Sequence, residues 1–280
     1  MTPLPPLLLE PLVRAALIED LGPSGDVTTR AVIPQGLRYS ARLNARNTGT
    51  ISGMQLAEMA FRLVDPALQV QTFCPDGSIV DAGQTLMQID GAAASILSAE
   101  RVALNFAGRL SGIATLTAAF VRQAQGTQAR ITCTRKTTPG LRLVEKEAVL
   151  HGGGAAHRYG LSDAILIKDN HIAAAGGIVA VLQAARAQAS HMRRIEIEVD
   201  TLDQLDMVLA TGGADVVLLD NMSTEDLSEA VRRVNGRLVT EASGNMRLER
   251  IAEVARTGVD FISVGALTHS ATVLDLGLDF

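Results

Sequence analysis

The sequence predicts an α/β protein in which a parallel β-sheet closes into a barrel. Short β-branched runs recur along the second half of the chain, and segments of helical length separate them. Alternating β and α units are typical of a parallel sheet whose faces are covered by helices. The runs lie at Ile131, Ile165–Ile167, Ile195–Val199, Val216–Leu219, Leu238–Thr240 and Phe261–Val264.

Polar or glycine residues follow each of these runs. In a barrel, the carboxyl ends of the strands share one face, and barrels place their chemistry there. A doubly wound sheet would spread the same groups along a crevice, so the barrel is the preferred interpretation. The groups are Thr134-Arg135-Lys136, Lys168-Asp169-Asn170, Glu198 with Asp200, Asp220-Asn221, Ser243-Gly244-Asn245 and Gly265.

The first half of the chain has a different pattern. Residues 7–21 have helical spacing of apolar residues, with Leu8, Leu12, Ala15, Ala16 and Ile18 near one face. Residues 39–46 alternate as a half-buried strand does, and glycine-punctuated short strands are expected as far as about residue 91. A long helix is expected from Ser95 to about Gln125, with Gly112 as a candidate break.

Composition excludes several classes of protein. The chain has 280 residues, 47% of them hydrophobic and 20% charged, which is typical of a globular protein rather than a disordered one. A net charge of -5, 3% aromatic residues and no Trp argue against nucleic-acid and anionic-membrane binding. Two distant cysteines, Cys74 and Cys133, indicate neither a disulfide framework nor a thiolate zinc site. No secretion signal or membrane-spanning stretch is expected, so the predicted location is the cytoplasm.

Lysine is rare in this chain. Of the twenty-five basic residues, only Lys136, Lys146 and Lys168 are lysine. A lysine retained among so many arginines is a candidate for chemistry that a guanidinium cannot supply, because the ammonium group is a compact and titratable charge.

The polar groups at the strand ends indicate a site for a multiply anionic substrate. Arg135 and Arg158 are suited to binding carboxylates bidentately, whereas Lys136 and Lys168 act as point charges. Glu198 and Asp220 are candidates for holding a magnesium ion or stabilising a cationic centre. The segment Gly265–His269 is expected to begin a helix whose free backbone N–H groups favour a phosphate.

Other residues have less specific interpretations. Arg109 and Arg142 are expected to be solvated, and Glu145, Lys146 and Glu147 to form the wet face of a helix. Gly152-Gly-Gly154 is either a helix C-cap or a point of close substrate approach. Cys133 is expected to be a small strand residue. His151, His191 and His269 lack the spacing of a transition-metal site.

Three long motifs resemble those of the quinolinate phosphoribosyltransferases, also called carboxylating nicotinate-nucleotide pyrophosphorylases. They are Thr134-Arg-Lys-Thr-Thr-Pro-Gly-Leu-Arg142, Gly152-Gly-Gly-Ala-Ala-His-Arg158 and Leu166-Ile-Lys-Asp-Asn-His171. Further matching segments extend the resemblance across nearly the whole chain. These segments are Glu19–Thr28, Glu100–Asn105, Glu196–Asp200, Leu219–Met222 and Ser263–His269.

The resemblance implies a specific fold and assembly. It implies an N-terminal α/β sandwich domain over residues 1–109 and an open (β/α) barrel of about seven strands over residues 110–280, whose last residues pack back on the first domain. It also implies a homodimer, with higher oligomers as an open alternative, in which Arg101 enters the neighbouring subunit's site.

The resemblance further implies a reaction. Quinolinate and 5-phosphoribosyl 1-pyrophosphate (PRPP) would combine, with Mg²⁺, to give nicotinate mononucleotide, pyrophosphate and carbon dioxide. Lys168, Glu198 and Asp220 would be catalytic, and Mg²⁺ would be held mainly through PRPP, with Glu198 and Asp220 as candidate ligands. The implied substrate-binding residues are Arg101, Thr134, Arg135, Lys136, His157, Arg158, Lys168, Glu198, Asp220, Ser243, Gly244, Asn245, Ser263, Gly265 and His269.

The chain departs from the family pattern at two positions. Cys133 stands where Asp is common before Thr-Arg-Lys, and Ala156 stands where Asn is common before His-Arg. These changes affect the expected local hydrogen bonds rather than the main charges.

Three alternatives remain open at this stage. A related group associated with molybdenum transport shares the Thr-Arg-Lys and Gly-Gly-Gly motifs but is less similar around Lys168. Lys168 at a strand end could also form a Schiff base in an aldolase-like lyase. A catalytically idle protein that keeps the anion pocket is the third.

Overall fold

The computed structural model describes residues 3–280. Its helices, in chain order, are α1 Pro6–Leu21, α2 Val27–Val32, α3 Met54–Val64, α4 Ala93–Gln123, α5 Arg142–His151, α6 Asp169–Ala175, α7 Ile178–Gln188, α8 Leu202–Thr211, α9 Thr224–Val234, α10 Leu248–Ala255 and α11 Ala266–His269. Its strands are β1 Arg38–Ala45, β2 Gly49–Thr50, β3 Gln69–Thr72, β4 Ile79–Val80, β5 Thr85–Ala92, β6 Arg130–Thr132, β7 Ile165–Ile167, β8 Ile195–Val199, β9 Val216–Asp220, β10 Val239–Ser243, β11 Phe261–Ser263 and β12 Leu276–Asp279.

By internal contacts, the part of the chain that the structure describes divides into two compact units. The first contains residues up to Ala118, Thr138–Gly153 and Ser270–Phe280. The second contains Ala119–Thr137 and Gly154–His269. The division at residue 109 that the sequence predicts stays a prediction about domains, since the compact units combine segments from distant parts of the chain.

The first unit contains an antiparallel sheet in the order β12-β1-β5-β3. The predicted strand at residues 39–46 is confirmed, because Ala41, Leu43 and Ala45 are buried while the residues between them are less so. The last strand pairs with the first, with Leu43 opposite Leu278. Arg46 also donates from Nη2 to Asp279 Oδ1 at 2.5 Å. The C-terminal residues are therefore an integral edge of this sheet.

Two predictions for the first unit are wrong in detail. Helix α1 forms as expected, but it buries Leu9, Val13 and Leu17 rather than the face that carries Leu8 and Ile18. Nearly every turn of α1 carries apolar residues on more than one side, so periodicity does not select the face that packs. The stretch expected to hold only short strands contains helix α3, whose residues Met54, Leu56, Ala57, Ala60 and Phe61 are buried.

Helix α4 runs without interruption through Gly112, so the predicted break is wrong. A Cβ atom at Gly112 would lie 1.9 Å from the carbonyl oxygen of Thr272. At Gly108, one turn earlier, it would lie 2.9 Å from Val273 Cγ1. These glycines allow the segment before β12 to lie directly against the helix backbone, which is a packing role rather than a break.

Helix α4 is also long and apolar enough to span a membrane by length and composition. The sequence predicts no such stretch. In the structure, 56% of the most apolar window of this helix is buried inside the protein. A core helix of this kind passes the same test as a membrane span, so the finding is weak evidence for a membrane location.

Helix α5 shows that another expectation is wrong. Glu145 and Lys146, which were assigned to a wet face, are fully buried, and Arg109 is not freely solvated. Glu145 accepts hydrogen bonds from Arg109 Nη2 at 3.0 Å and from Thr138 Oγ1 at 2.8 Å. Charge pairing and hydrogen bonding offset the cost of burying this carboxylate, and sequence periodicity carries no sign of that pairing.

The glycines after α5 match the C-cap interpretation. The Gly152 N–H donates to Ala148 O, and the Gly153 N–H donates to Leu150 O. A Cβ atom at Gly152 would lie 2.4 Å from Ala114 O on α4. The close approach at Gly152 is therefore to a helix of the same unit.

The second unit contains a parallel sheet of six strands among the described residues, in the order β6-β11-β10-β9-β8-β7. Strands β7 to β11 are neighbours in chain order, each is followed by a helix, and β6 pairs with β11. The sequence predicts about seven strands without a position for the seventh; beyond the six, a parallel bridge joins Thr132 to Ala155. The predicted α/β class is confirmed, and this arrangement brings the carboxyl ends of the strands to one side of the unit.

Replacement of Gly112 by Ala should destabilise the protein, because the added methyl group must displace the backbone at Thr272. We expect the free energy of unfolding to fall by about 2–3 kcal/mol, as overpacking of a core does. The measurement is urea denaturation at fixed protein concentration. Gly160→Ala is the matched control, since a Cβ atom there has no neighbour closer than 3.9 Å. A Gly112→Ala protein as stable as this control would contradict the packing role.

Candidate functional site

Strand alternation in the second unit sends acidic and polar side chains to one face of the sheet. In β8, Ile195, Ile197 and Val199 share one face, so Glu196 and Glu198 share the other. Glu198 is in register with Leu218 of β9, and Leu218 is in register with Glu241 of β10. These side chains therefore form layers inside the barrel, with the polar ends of the strands above them.

The carboxyl ends of the strands surround a cavity of about 720 Å³. Its lining includes fourteen of the side chains and glycines that the sequence predicts for the site. They are Thr134, Arg135, Lys136, His157, Arg158, Lys168, Glu198, Asp220, Ser243, Gly244, Asn245, Ser263, Gly265 and His269. Arg101 is the exception, since it lies exposed on α4 in the first unit and is not part of this lining.

Several other residues line the cavity. Arg247, just before α10, adds a further cation that the sequence did not predict. Asn221, which the sequence places at a strand end with Asp220, adds an amide. Leu166 and Leu218 provide apolar surface. Arg247 follows the Ser-Gly-Asn segment closely, so the strand-end pattern was sufficient to include it. For Leu166 and Leu218, the sequence predicts only buried strand residues and gives no sign of contact with a ligand.

Two arginines in the cavity have hydrogen-bonding capacity to spare. The Nε atoms of Arg135 and Arg158 are buried and have no hydrogen-bond partner among residues 3–280. The pKa of Arg158 lies below its usual value, because burial and the charge of Arg135 disfavour the guanidinium, while Glu196 and Asp163 act in the opposite direction. Two neighbouring cations with unsatisfied donors form a natural site for carboxylates.

Lys168 and Glu198 form an ion pair at the edge of the cavity. Lys168 Nζ donates to Glu198 Oε2 at 2.6 Å. The Lys168 backbone N–H is bound to His171 Nδ1 at 2.9 Å, which holds the start of α6. Schiff-base formation needs a deprotonated amine. The ion pair with Glu198 therefore favours an electrostatic role for Lys168 over nucleophilic attack on a carbonyl.

The loops after β9 and β10 meet through residues with left-handed backbones. Asn221, Gly244 and Asn245 all have positive φ, at 54°, 89° and 48°. A Cβ atom at Gly244 would lie 2.2 Å from Asn221 Oδ1. Asn245 Nδ2 donates to the same oxygen at 3.2 Å. Glycine is therefore required at position 244, and the two loops form one surface beside the cavity.

A helix begins after β11, as the sequence predicts, but α11 has only four residues. The N–H groups of Thr268 and His269 bond to Gly265 O. The role of this segment in binding a phosphate stays a prediction. Gly265 still permits close packing, since a Cβ atom there would lie 3.2 Å from both His269 Nε2 and Lys136 Cδ.

Two buried carboxylates and a half-buried imidazole form a set of three titratable side chains that the sequence did not predict. His157 Nε2 lies 3.1 Å from Glu196 Oε2 and 3.5 Å from Glu241 Oε1. Glu196 is 7% exposed and Glu241 is 4% exposed. Local sequence patterns gave no signal for this pairing, because an acidic residue inside a strand is equally typical of a solvated face.

This combination of fold and site defines a class of protein. A barrel whose strand ends carry several cations, two carboxylates and glycine-containing turns is a barrel enzyme for polyanionic substrates. Comparison with known proteins gives the family. The models described as the N-terminal and C-terminal domains of quinolinate phosphoribosyl transferase match residues 26–111 and 113–279. The chain belongs to the quinolinate phosphoribosyltransferase family.

Individual relatives cover almost the whole chain. It is 44% identical to the chloroplastic nicotinate-nucleotide pyrophosphorylase [carboxylating] of Arabidopsis thaliana, over 96% of this chain and 82% of that one. It is 44% identical to the enzyme of the same name from Mycobacterium leprae, over 95% of each. Among solved structures, NadC from Streptococcus pyogenes has a TM-score of 0.96 and 39% identity, covering 100% of this chain and 98% of that one. The nicotinate-nucleotide pyrophosphorylase from Francisella tularensis has a TM-score of 0.94 and 39% identity, covering 99% and 97%.

Proposed function

We propose that this protein transfers the phosphoribosyl group of PRPP to quinolinate and decarboxylates the product to nicotinate mononucleotide. The other products are pyrophosphate and carbon dioxide, and the reaction serves NAD biosynthesis. The observation that carries the proposal is the single cavity that contains Arg135, Arg158, Lys168, Glu198 and Asp220. A protein of the family with this set of charges has the groups that both substrates require.

Quinolinate binds through its two adjacent carboxylates. Arg135 and Arg158 present buried Nε donors that the protein leaves without partners. Charge-assisted bonds to carboxylates satisfy such donors and fix the plane of the ring. Lys168 completes this positive side of the cavity, His157 lies beside it on the cavity wall, and Arg101 enters from a second subunit. The ring nitrogen is thereby aimed at the anomeric carbon of the sugar.

Phosphoribosyl transfer forms the bond from the ring nitrogen to the anomeric carbon and breaks the bond to pyrophosphate. Positive charge develops on the ribose ring as pyrophosphate leaves. Glu198 and Asp220, at the ends of neighbouring strands, stabilise that charge and bind the ribose hydroxyls. Lys136 binds the pyrophosphate as a point charge. Ser243, Gly244, Asn245, Ser263, Gly265 and His269 surround the 5-phosphate, and Thr134 contributes its hydroxyl to the same cavity.

The donor set of the cavity fits Mg²⁺ held through a phosphorylated substrate. Mg²⁺ is usually bound by one or two carboxylates together with substrate phosphates. Glu198 and Asp220 provide two carboxylates, and each has already one hydrogen-bond partner, Lys168 and Asn221 respectively. Because each carboxylate already accepts one hydrogen bond, contact of the ion with Glu198 and Asp220 through water is favoured. The ion would supply charge neutralisation for the departing pyrophosphate.

Decarboxylation follows from the chemistry of the alkylated ring. Once the nitrogen carries the ribose, the bond from C2 to its carboxylate breaks and carbon dioxide leaves. The electron pair of that bond stays on C2, where the adjacent positively charged nitrogen stabilises it, and water then supplies a proton to C2. Lys168 lies on the cavity wall and assists this step by its charge.

The assembly and location follow the same proposal. We propose a homodimer, able to assemble further, that supplies Arg101 across its interface and works in the cytoplasm on small molecules rather than on nucleic acid or membranes. Cys133 and Ala156 stand where the family commonly has more polar residues. The backbone still forms a hydrogen bond at this point, since the Cys133 N–H donates to Ala155 O at 3.3 Å.

The decisive experiment is an assay with purified protein, quinolinate, PRPP and Mg²⁺. We expect nicotinate mononucleotide and carbon dioxide in equal amounts, and loss of both when a chelator removes the divalent ion. Borohydride in the presence of ketones or aldehydes should trap no adduct on Lys168. Quinolinate binding by calorimetry without any product would instead identify an idle binding protein, and neither binding nor product would exclude the proposed substrate.

Loss of either principal cation should abolish most turnover while the fold persists. We expect Arg135→Ala and Lys168→Ala each to lower kcat/KM by about 100-fold or more, since each removes a charge-assisted contact to an anionic substrate. Arg256→Ala, an exposed arginine outside the cavity lining, is the control and should stay within about two-fold of the unmodified protein. Circular dichroism checks folding, and a near-normal rate for either cavity variant would refute its role.

A shared active site predicts complementation between subunits. Mixing Arg101→Ala with Lys168→Ala subunits creates mixed dimers with one intact site, so activity should return to about a quarter of the unmodified value after random exchange. A mixture of Arg135→Ala and Lys168→Ala subunits should show no recovery, because both residues line the cavity of the same chain. Native mass spectrometry verifies the exchange. Equal failure of the two mixtures would exclude a site that takes Arg101 from a neighbour.

A further inference from the structure

His157, Glu196 and Glu241, here called the His157 cluster, join a half-buried imidazole on the cavity wall to two buried carboxylates. The proposed chemistry gives neither glutamate a role. Two carboxylates at 7% and 4% exposure cost free energy unless something in the fold uses their charge. Both face the same imidazole nitrogen, Nε2, at 3.1 and 3.5 Å. The cluster therefore acts on His157 and on what His157 holds.

The other ring nitrogen determines where the proton of His157 lies. The backbone N–H of Arg158 donates to His157 Nδ1 at 2.8 Å. An N–H group cannot donate to a protonated nitrogen, so Nδ1 is the acceptor and the proton of the neutral ring is on Nε2. Nε2 then donates to Glu196, with Glu241 close enough to share the proton.

A metal ion is the competing explanation for this cluster. Its ligand atoms lie within 4.8 Å of one another, which is compatible with a shared cation. A neutral imidazole that binds metal through Nε2 carries its proton on Nδ1 and donates it to a neighbouring acceptor. In this protein the neighbour of Nδ1 is a donor, and the charge of Arg158 is nearby. The hydrogen-bonded arrangement is therefore favoured over a metal site.

The cluster also acts on Arg158 directly. Glu196 favours the charged form of the Arg158 guanidinium, against the effects of burial and of Arg135. The Arg158 backbone is bound by His157, and its Nη1 donates to Ala164 O at 3.1 Å. With the backbone and Nη1 held in this way, the buried Nε donor has no partner among residues 3–280 and is available to a ligand.

We propose that Glu196 and Glu241 are positioning residues, which hold His157 in its Nε2–H tautomer so that Arg158 presents its guanidinium to the substrate in one orientation. The part of this inference that concerns the substrate rests on the proposed function. For removal of the two glutamates, this proposal predicts the opposite change in anion binding from the one that loss of negative charge alone would cause. Removing two negative charges from beside an anion site would ordinarily tighten anion binding, whereas here it weakens binding because Arg158 loses its support.

The first test measures the tautomer, with no substrate present. The chain has five histidines, so ¹⁵N-labelled histidine gives a spectrum that variants can assign. We expect His157 in the unmodified protein to be neutral with its proton on Nε2. Glu196→Gln/Glu241→Gln should keep that signature, since an amide oxygen still accepts the proton, and Glu196→Leu/Glu241→Leu should lose it. An Nδ1–H tautomer in the unmodified protein would overturn the proposal whether or not the leucine variant folds.

The second test measures quinolinate binding by calorimetry. We expect the leucine double variant to bind at least tenfold more weakly and the glutamine double variant to stay within threefold of the unmodified protein. Unchanged or tighter binding by a folded leucine variant would overturn the positioning role. If the unmodified protein itself binds no quinolinate, the proposed function fails, while the tautomer measurement still decides whether the cluster holds His157 as described.

Discussion

The site depends on holding like charges together at the ends of parallel strands. Arg135 and Arg158 are close enough to lower the pKa of Arg158, and burial deepens that effect. The carboxylates of Glu196 and Asp163 act in the opposite direction on Arg158. Strand alternation turns Glu196 and Glu198 to the same face of β8, so this face supplies counter-charge to Arg158 and, through Glu198, to Lys168. Because the folded protein already offsets the repulsion between Arg135 and Arg158, their Nε donors are available to a substrate.

Much of the site could be predicted from the sequence, and strand topology explains why. Residues that follow parallel strands must lie near one another, so Lys168, Asp220 and Ser243 could be grouped without coordinates. Glu196 and Glu241 could not be placed in the same way, since an acidic residue inside a strand is equally typical of a solvated face. The partner that reveals their role, His157, lies on a loop far away in sequence, and local patterns do not encode that pairing.

The fold shows the same division between local and distant causes. Strand β1 and helix α4 follow from alternation and helical spacing within a few residues. The packing role of Gly112 depends on the carbonyl of Thr272, 160 positions later in the chain. The burial of Glu145 likewise depends on its ion pair with Arg109. A glycine that admits a distant backbone and one that ends a helix look identical in sequence. Burial of a charged helix face is likewise set by packing partners rather than by the helix itself.

Because lysine is scarce in this chain, the cavity can be labelled selectively at its lysine side chains. Lys146 is fully buried, whereas Lys136 and Lys168 are exposed and both line the cavity. An amine-selective acylating reagent therefore meets few competing targets on the surface of residues 3–280. A fluorophore or affinity handle delivered in this way would be installed at the centre of activity instead of being scattered over the molecule, and its rate of attachment would serve as an optical gauge of ligand occupancy.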